Sequence, residues 1–107
     1  MSLFLGLDIG STSVKALLKD EKGSTVAVGR CAYPTNYAPG GVVTQDARDW
    51  WAAAVTAVRE ATSGHGKEVS AIGLSSQGGS ILAATDEGEP LCAASSWMDA
   101  TALSEAE

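Results

Sequence analysis

Apolar and polar residues alternate along this chain in short blocks that predict strands at its start. Leu3–Ile9 is an apolar run closed by Gly10, and Val14–Lys19 and Thr25–Tyr33 are two further runs separated by turn residues. Short apolar runs bounded by Gly, Ser, Thr and Asp are typical of strands joined by tight turns. The first third of the chain therefore predicts a three-stranded antiparallel meander.

A loop and then an amphipathic helix are predicted next. Residues 33–44 contain Pro34, Pro39 and two glycines, which favour a loop. Asp46 is a suitable N-cap for a helix that follows it. Five apolar residues recur at helical spacing and predict one buried face: Trp51, Ala54, Val55, Val58 and Ala61.

The last third of the chain returns to strand patterns. Val69–Ser75 predicts a strand that ends in a glycine turn, and Ser80–Thr85 with Pro90–Ala94 predicts a hairpin. Ala100–Glu107 predicts a short helix. The predicted order is β-β-β-α-β-β-β-α.

Length and composition exclude two classes of function. The 107 residues suffice for one small domain, and 45% of them are hydrophobic, as is usual in folded proteins. The formal net charge is -6 and no Lys/Arg cluster occurs, so a nucleic acid would be repelled. No apolar run approaches the ~18 residues that a membrane span needs, and no signal peptide is recognisable. We therefore expect a cytoplasmic protein that binds neither nucleic acid nor membrane.

The two cysteines give no sign of a metal site or a disulfide. Cys31 and Cys92 are far apart in the sequence and match no metal-binding spacing. Both lie in apolar runs, so we expect buried, reduced thiols.

The turn after the first apolar run has residue types that suit a phosphate group. Gly10 allows a tight turn and close approach of a ligand, and the hydroxyl residues that follow can donate to phosphate oxygens. Asp8 can hold a hydrated Mg²⁺, and Lys15 adds a positive charge. The candidate nucleotide-binding residues are Asp8, Gly10, Ser11, Thr12, Ser13 and Lys15, and Asp8 is also the candidate metal ligand.

Two interpretations of this turn remain open on the residues alone. The turn lacks the Gly-Lys-Ser/Thr ending of a Walker A loop, and it is not a dinucleotide fingerprint. A plain hairpin with a polar turn would have the same residue types. Residue chemistry therefore permits a phosphate site here without requiring one.

The string GLDIGSTSVKALLKD, residues 6–20, closely resembles the first phosphate motif of the actin-like ATPase superfamily. That superfamily includes sugar kinases, Hsp70 chaperones and actin. The resemblance implies two RNase H-like domains that face each other with ATP in the cleft. Activators of acyl-CoA dehydratases carry a very similar motif, so this string alone does not choose a family.

Three later segments resemble the FGGY family of carbohydrate kinases. VVTQDARDWW at 42–51 resembles a Gln-Asp-Pro turn followed by an Asp-Trp-Trp helix, with Ala47 in place of Pro. IGLSSQGG at 72–79 resembles the family's strand and substrate turn. SWMDAT at 96–101 resembles the Trp-x-Asp-x-Arg motif, with Thr101 in place of Arg. The order and spacing of these segments are those of the family.

The resemblance implies five contacts to the sugar: Gln77, Gly78, Gly79, Trp97 and Asp99. Gly78 and Gly79 stand where xylulose kinases have Met-His and glycerol kinases have Arg-Glu. Two side chains are therefore missing from the turn, and Thr101 removes a third group of the motif. These departures bear on which sugar is bound.

The resemblance implies an α/β fold, the N-terminal half of an RNase H-like (actin-like ATPase) domain with a mixed sheet. Residues 1–107 would be a partial FGGY domain, with the rest of the first domain and all of the second lying outside. The implied activity is transfer of the γ-phosphoryl group of ATP, with Mg²⁺, to a hydroxyl of a small sugar, for which a pentulose such as xylulose is the nearest match.

The resemblance also places the general-base Asp beyond residue 107. We therefore expect the 107-residue chain alone to be inactive, and to form a homo-oligomer through uncovered surfaces. Two other functions remain open: a non-catalytic ATP- or sugar-binding relative, and another actin-like ATPase such as a dehydratase activator.

Overall fold

The computed structural model describes residues 1–102 of the chain. Its helix and strands are, in chain order, β1 (Leu3–Ile9), β2 (Ser13–Lys19), β3 (Thr25–Ala32), β4 (Asn36–Ala38), β5 (Val42–Gln45), α1 (Ala47–Ala61), β6 (Val69–Ser76) and β7 (Ala94–Ser95). A short 3-10 helix, Gly66–Glu68, leads into β6. The described residues form two compact units: residues 1–33 with 50–77 make the first unit, and residues 34–49 with 78–102 make the second.

The first unit is built on a four-stranded mixed sheet in the order β3-β2-β1-β6. β1 and β3 both pair antiparallel with β2, which confirms the predicted meander. β6 pairs parallel with β1 on the other side, because α1 carries the chain back to the same end of the sheet. The parallel pairing places the carboxyl ends of β1 and β6 side by side.

The core of the first unit lies between one face of this sheet and α1. Alternate residues of β1 and β2 face the helix, and the most deeply buried are Leu3, Leu5, Val14, Ala16 and Leu18. The helix contributes Ala53, Ala54, Ala57 and Ala61. Because these side chains are short, the helix backbone lies close to the sheet.

The buried face of α1 differs from the face that the sequence predicted. Ala54 and Ala61 are buried as expected, but Trp51 is 75% exposed. The physical reason is the close approach of the helix to Gly29 of β3, where an added Cβ would lie only 1.9 Å from the carbonyl oxygen of Ala57. At this contact the helix presents Ala57 to the sheet, Trp50 packs against the core, and Trp51 falls outside the buried face.

The start of α1 agrees with the predicted N-cap. The Oδ1 atom of Asp46 accepts a hydrogen bond from the backbone N–H of Arg48 at 2.9 Å. The carbonyl oxygen of Asp46 accepts one from the backbone N–H of Asp49 at 3.0 Å. Asp46 thus satisfies N–H groups of the first turn that have no partner within the helix.

The second unit contains a three-stranded antiparallel sheet in the order β4-β5-β7. The prediction of loop throughout residues 33–44 was therefore wrong, because β4 and the start of β5 lie within it. Gly40 and Gly41 close the β4–β5 turn with φ angles of 84° and 82°, a backbone region that glycine enters without strain. Two adjacent glycines between short apolar stretches were the signal for this hairpin.

The hairpin predicted for 80–94 is only partly formed. In its place the described structure has two isolated bridges, Ile81 with Ser95 and Ala84 with Pro90, around the turn at 86–89. Pro90 has no N–H to donate to a ladder, and Ala94–Ser95 pairs with β5. The first residues of the predicted 100–107 helix form a turn, and 103–107 lie outside the described residues.

The two cysteines differ in burial. Cys31 is half-buried but Cys92 is exposed, so the expectation of a buried thiol was wrong for Cys92, which lies in an irregular segment. Within residues 1–102, no helix is long and apolar enough to span a membrane.

Candidate functional site

The turn between β1 and β2 is closed by its own backbone. The N–H of Gly10 donates to the carbonyl oxygen of Ser13 at 3.0 Å. A Cβ at Gly10 would lie 3.1 Å from that oxygen, so close backbone approach is what favours glycine at this position. Beyond the turn, the carbonyl oxygen of Thr12 accepts a hydrogen bond from the N–H of Tyr33 at 3.1 Å. The turn is thereby fixed to the end of β3.

The three hydroxyl residues of the turn differ in their access to a ligand. Thr12 is exposed and Ser11 is half-buried, whereas Ser13 retains only 5% exposure as the first residue of β2. Thr12 and Ser11 are therefore the better placed of the three to meet a phosphate oxygen.

Asp8 and Lys15 face each other across the β1–β2 pair. They are Cα partners in the antiparallel register, and both side chains are exposed. On the other side of Asp8, Ser75 of β6 is its partner in the parallel register. A positive charge, a carboxylate and a hydroxyl therefore form a row across three neighbouring strands.

This row borders an open depression of about 410 Å³ on the sheet. Gly6 and Gly73, which are Cα partners, leave bare backbone in its floor, and Leu17 and Leu74 supply apolar walls. The depression thus lies directly behind the β1–β2 turn.

The residues beside this turn suit a magnesium ion that keeps most of its water ligands better than one bound only by protein side chains. Among residues 1–102, no three His, Cys, Asp or Glu side chains cluster as metal ligands. Mg²⁺ keeps several waters and commonly uses one carboxylate together with substrate phosphates. One exposed carboxylate, Asp8, next to a turn with hydroxyl groups meets that requirement.

The structure adds Tyr33 to the residues that the sequence singled out. Its side chain is 7% exposed, and its hydroxyl accepts a hydrogen bond from Nε2 of Gln77 at 3.3 Å. Burial raises the pKa of the Tyr33 hydroxyl, and the negative charge of Asp8 raises it further. The N–H of Gln77 donates to the carbonyl oxygen of Ile9 at 2.8 Å. Gln77 and the phosphate-type turn are therefore brought together in the first unit.

The remaining sugar candidates lie in the second unit. Gly79 has a φ of 79°, and an added Cβ would lie 3.2 Å from the Cβ of Trp97. The indole of Trp97 is 53% exposed, and its backbone N–H donates to Oγ of Ser80 at 3.1 Å. Gly78 has open space where a side chain would stand.

Asp99 is held by hydrogen bonds within the second unit. Its Oδ1 accepts from Oγ1 of Thr101 at 2.6 Å and from the Thr101 N–H at 2.9 Å, and its Oδ2 accepts from the N–H of Val43 at 2.8 Å. The Thr101 hydroxyl, then the N–H groups of Val43 and Thr101, lower the pKa of the Asp99 carboxyl. Three of the roughly four acceptor positions of a carboxylate are thus used inside the protein.

The order and pairing of the strands define the class of this protein: an α/β domain with the RNase H-like sheet of the actin-like ATPases. The family model for the N-terminal domain of the FGGY family of carbohydrate kinases matches residues 3–107. The chain belongs to the FGGY family of carbohydrate kinases. This result favours the family over the dehydratase activators that share the first motif.

Relatives within the family differ in their named substrates. A glycerol kinase of Saccharolobus islandicus is 34% identical over 97 residues, which is 89% of this chain and 19% of that protein. A ligand-bound xylulose kinase of Lactobacillus acidophilus has a TM-score of 0.90 at 27% identity, over 98% of this chain and 21% of that one. A gluconate kinase of the same organism has a TM-score of 0.89 at 27% identity, over 97% and 21%. The chain therefore spans about a fifth of the length of these relatives.

Proposed function

We propose that this chain is the N-terminal part of an ATP-dependent sugar kinase, which transfers the γ-phosphoryl group of ATP to a hydroxyl of a small sugar. The observation that carries the proposal is the arrangement of Asp8 and Lys15 on paired strands, directly behind a glycine turn fixed at both ends. Membership of the FGGY family supports the same conclusion.

In this proposal the β1–β2 turn holds the polyphosphate of ATP. Thr12 and Ser11 donate to phosphate oxygens, and Lys15 contributes positive charge beside them. Asp8 accepts hydrogen bonds from the water shell of Mg²⁺ or ligates the ion itself. When bound, Mg²⁺ would neutralise part of the negative charge on the transferred phosphoryl group.

The proposed sugar contacts are Gln77 of the first unit and Gly78, Gly79, Trp97 and Asp99 of the second. The exposed indole face of Trp97 suits the C–H groups of a sugar. The Gln77 carboxamide can both donate to and accept from sugar hydroxyls. Asp99 has at most one acceptor position left, so we assign it mainly to holding Val43 and Thr101 in place.

The chemistry needs a base that this chain does not supply among its proposed site residues. We propose that an Asp beyond residue 107 accepts the proton of the attacking hydroxyl, and that the 107-residue chain alone is inactive. Because its co-substrate is ATP and its cysteines are free thiols, we place the enzyme in the cytoplasm.

The experiment is a panel of candidate acceptors assayed with the full-length protein and Mg²⁺-ATP. The panel contains D-xylulose, glycerol and gluconate, because those are the substrates named for the relatives. We expect sugar-dependent ADP release, with D-xylulose preferred among them. Absence of turnover with every acceptor would contradict a kinase.

A second candidate function is favoured by two departures from the family motifs. Gly78 presents no side chain, and Thr101 hydrogen-bonds Asp99 where the family motif has Arg. A pocket that lacks these groups is compatible with a non-catalytic ATP- or sugar-binding relative. Retained ATP binding by the full-length protein without phosphoryl transfer would favour this alternative.

A further inference from the structure

Tyr33 lies between the β1–β2 turn and Gln77 in the first unit. Its backbone N–H donates to Thr12 at 3.1 Å, and its hydroxyl accepts from Nε2 of Gln77 at 3.3 Å. One residue therefore contacts both the turn proposed for ATP and the side chain proposed for the sugar.

We propose that Tyr33 is a positioning residue whose hydroxyl fixes the Gln77 carboxamide for the sugar. The inference rests on the proposed kinase function and deepens it. Tyr33 acts through Gln77 and is not assigned any contact with substrate.

The two parts of Tyr33 have separable roles. The ring belongs to the hydrophobic core of the first unit with Leu3, Leu5 and Ala57. The hydroxyl adds little to that packing, but a buried polar group needs a hydrogen-bond partner, and Gln77 provides it. Removing the hydroxyl alone therefore leaves the core in place and removes this one hydrogen bond from the carboxamide.

The backbone of Gln77 is fixed beside the β1–β2 turn, and the Tyr33 hydroxyl adds a hydrogen bond to its side chain. Its N–H donates to the carbonyl oxygen of Ile9 at 2.8 Å, at the end of the β1–β6 pairing. A long, flexible side chain on a fixed backbone loses rotamer freedom when it binds a ligand. A hydrogen bond to an immobile phenol reduces that cost before the sugar arrives.

The test is a set of variants in the full-length protein, assayed with the acceptor of the panel that gives turnover. We expect Tyr33→Phe to raise the KM for the sugar about three- to tenfold, the loss typical of one hydrogen bond. The KM for ATP should stay unchanged, since the backbone N–H that holds Thr12 is retained. In the double variant Tyr33→Phe/Gln77→Ala, the sugar KM should equal that of Gln77→Ala alone, because the hydroxyl acts only through Gln77.

Tyr37→Phe is the matched control, because it removes the same atom from a tyrosine that is 71% exposed in β4. It should leave both KM values at those of the wild type. Thermal unfolding of Tyr33→Phe should stay close to the wild type, because the ring is kept.

Three results overturn the inference. They are an unchanged sugar KM in Tyr33→Phe, an equal rise in both KM values, and additive effects in the double variant. If Tyr33→Phe does not fold, Gln77→Asn takes its place in the test. The shortened side chain no longer reaches the Tyr33 hydroxyl. A sugar KM equal to that of the wild type in Gln77→Asn would refute the inference. A wild-type protein with no turnover of any acceptor overturns the kinase function itself, whereas turnover with any of the three results above overturns only the role of Tyr33.

Discussion

At the scale of single residues, the sequence indicates which residue types suit a phosphate group. It does not indicate which distant residues hydrogen-bond to one another. Asp8, Gly10 and Lys15 could be proposed for a phosphate site because they lie in one continuous string whose residue types suit phosphate, and that role stays a prediction. The Tyr33–Gln77 hydrogen bond joins residues 44 positions apart, and the Asp99–Val43 bond joins residues 56 apart. Only the strand pairing brings such residues together, so no local pattern indicates them.

Asp99 leads to a prediction about acid stability. Its pKa is lowered from the ordinary 3.8, so the carboxylate form stabilises the fold at neutral pH. That stabilisation is complete above the unfolded-state pKa and is lost as pH falls through the lower folded-state value. We expect Asp99→Asn to unfold at a lower temperature than the wild type at pH 7, with the difference shrinking below about pH 4.

This effect is measured as the unfolding temperature at a series of pH values between pH 7 and pH 2, with unfolding monitored by circular dichroism. Asp86→Asn, a change in the exposed turn at 86–89, is the matched control. A gap between Asp99→Asn and the wild type that stays constant across the whole range would refute the role of the carboxylate.

At the scale of elements, the strands of the first unit and α1 were predicted because each has a clear period and clear ends. The orientation of α1 was not predicted, because Trp51 continues the apolar spacing although the helix packs through a neighbouring face that contains Ala57 and Trp50. The β4–β5 hairpin was missed because its strands of three and four residues are too short to show alternation. In both cases tertiary packing decided what the local pattern left ambiguous.

Gly29 provides the prediction that belongs to this scale. In Gly29→Ala the new Cβ would meet the Ala57 carbonyl at 1.9 Å, so α1 or β3 must move. Overpacking of this kind costs typically about 1–3 kcal/mol, and here the obstacle is backbone, which yields less than a side chain. We therefore expect Gly29→Ala to lower the free energy of unfolding, measured by urea denaturation, by about 3 kcal/mol, the upper end of this range, or more.

Gly73→Ala is the control for Gly29→Ala, because it is also a strand glycine but has open space at its Cβ position. It should change stability by less than about 1 kcal/mol. Equal stability of the two variants would show that α1 does not lie against Gly29 as described.

At the scale of the whole molecule, the family and its fold were predicted from the order of the motifs; the family model confirms the family, and the mixed sheet and the similar solved structures confirm the fold. The sequence did not identify the substrate, because Gly78 and Gly79 present no side chains and Thr101 stands where the family motif has Arg. β6 also differs from a usual parallel strand. Parallel strands are normally covered on both faces, yet Ile72 and Leu74 are 63% and 69% exposed.

We expect the 107-residue chain to associate with itself through β6. Within the described residues β6 is an edge strand, and it carries no charged residue that would discourage pairing with another chain. Sedimentation velocity should show a weight-average mass that rises with concentration, and Leu74→Lys should abolish the rise. Leu91→Lys, at an exposed leucine outside the named strands, should not. A monomeric wild type at high concentration would refute this expectation.

The central claim is that the turn after β1 binds Mg²⁺-ATP with Asp8 beside the ion. The most direct measurement is the Mg²⁺ dependence of sugar-dependent ATP turnover by the full-length protein, compared with Asp8→Asn and with the control Asp86→Asn. We expect Asp8→Asn to lose about tenfold to a hundredfold in activity and to need more Mg²⁺, while Asp86→Asn matches the wild type. Wild-type turnover and Mg²⁺ dependence in Asp8→Asn would contradict the account.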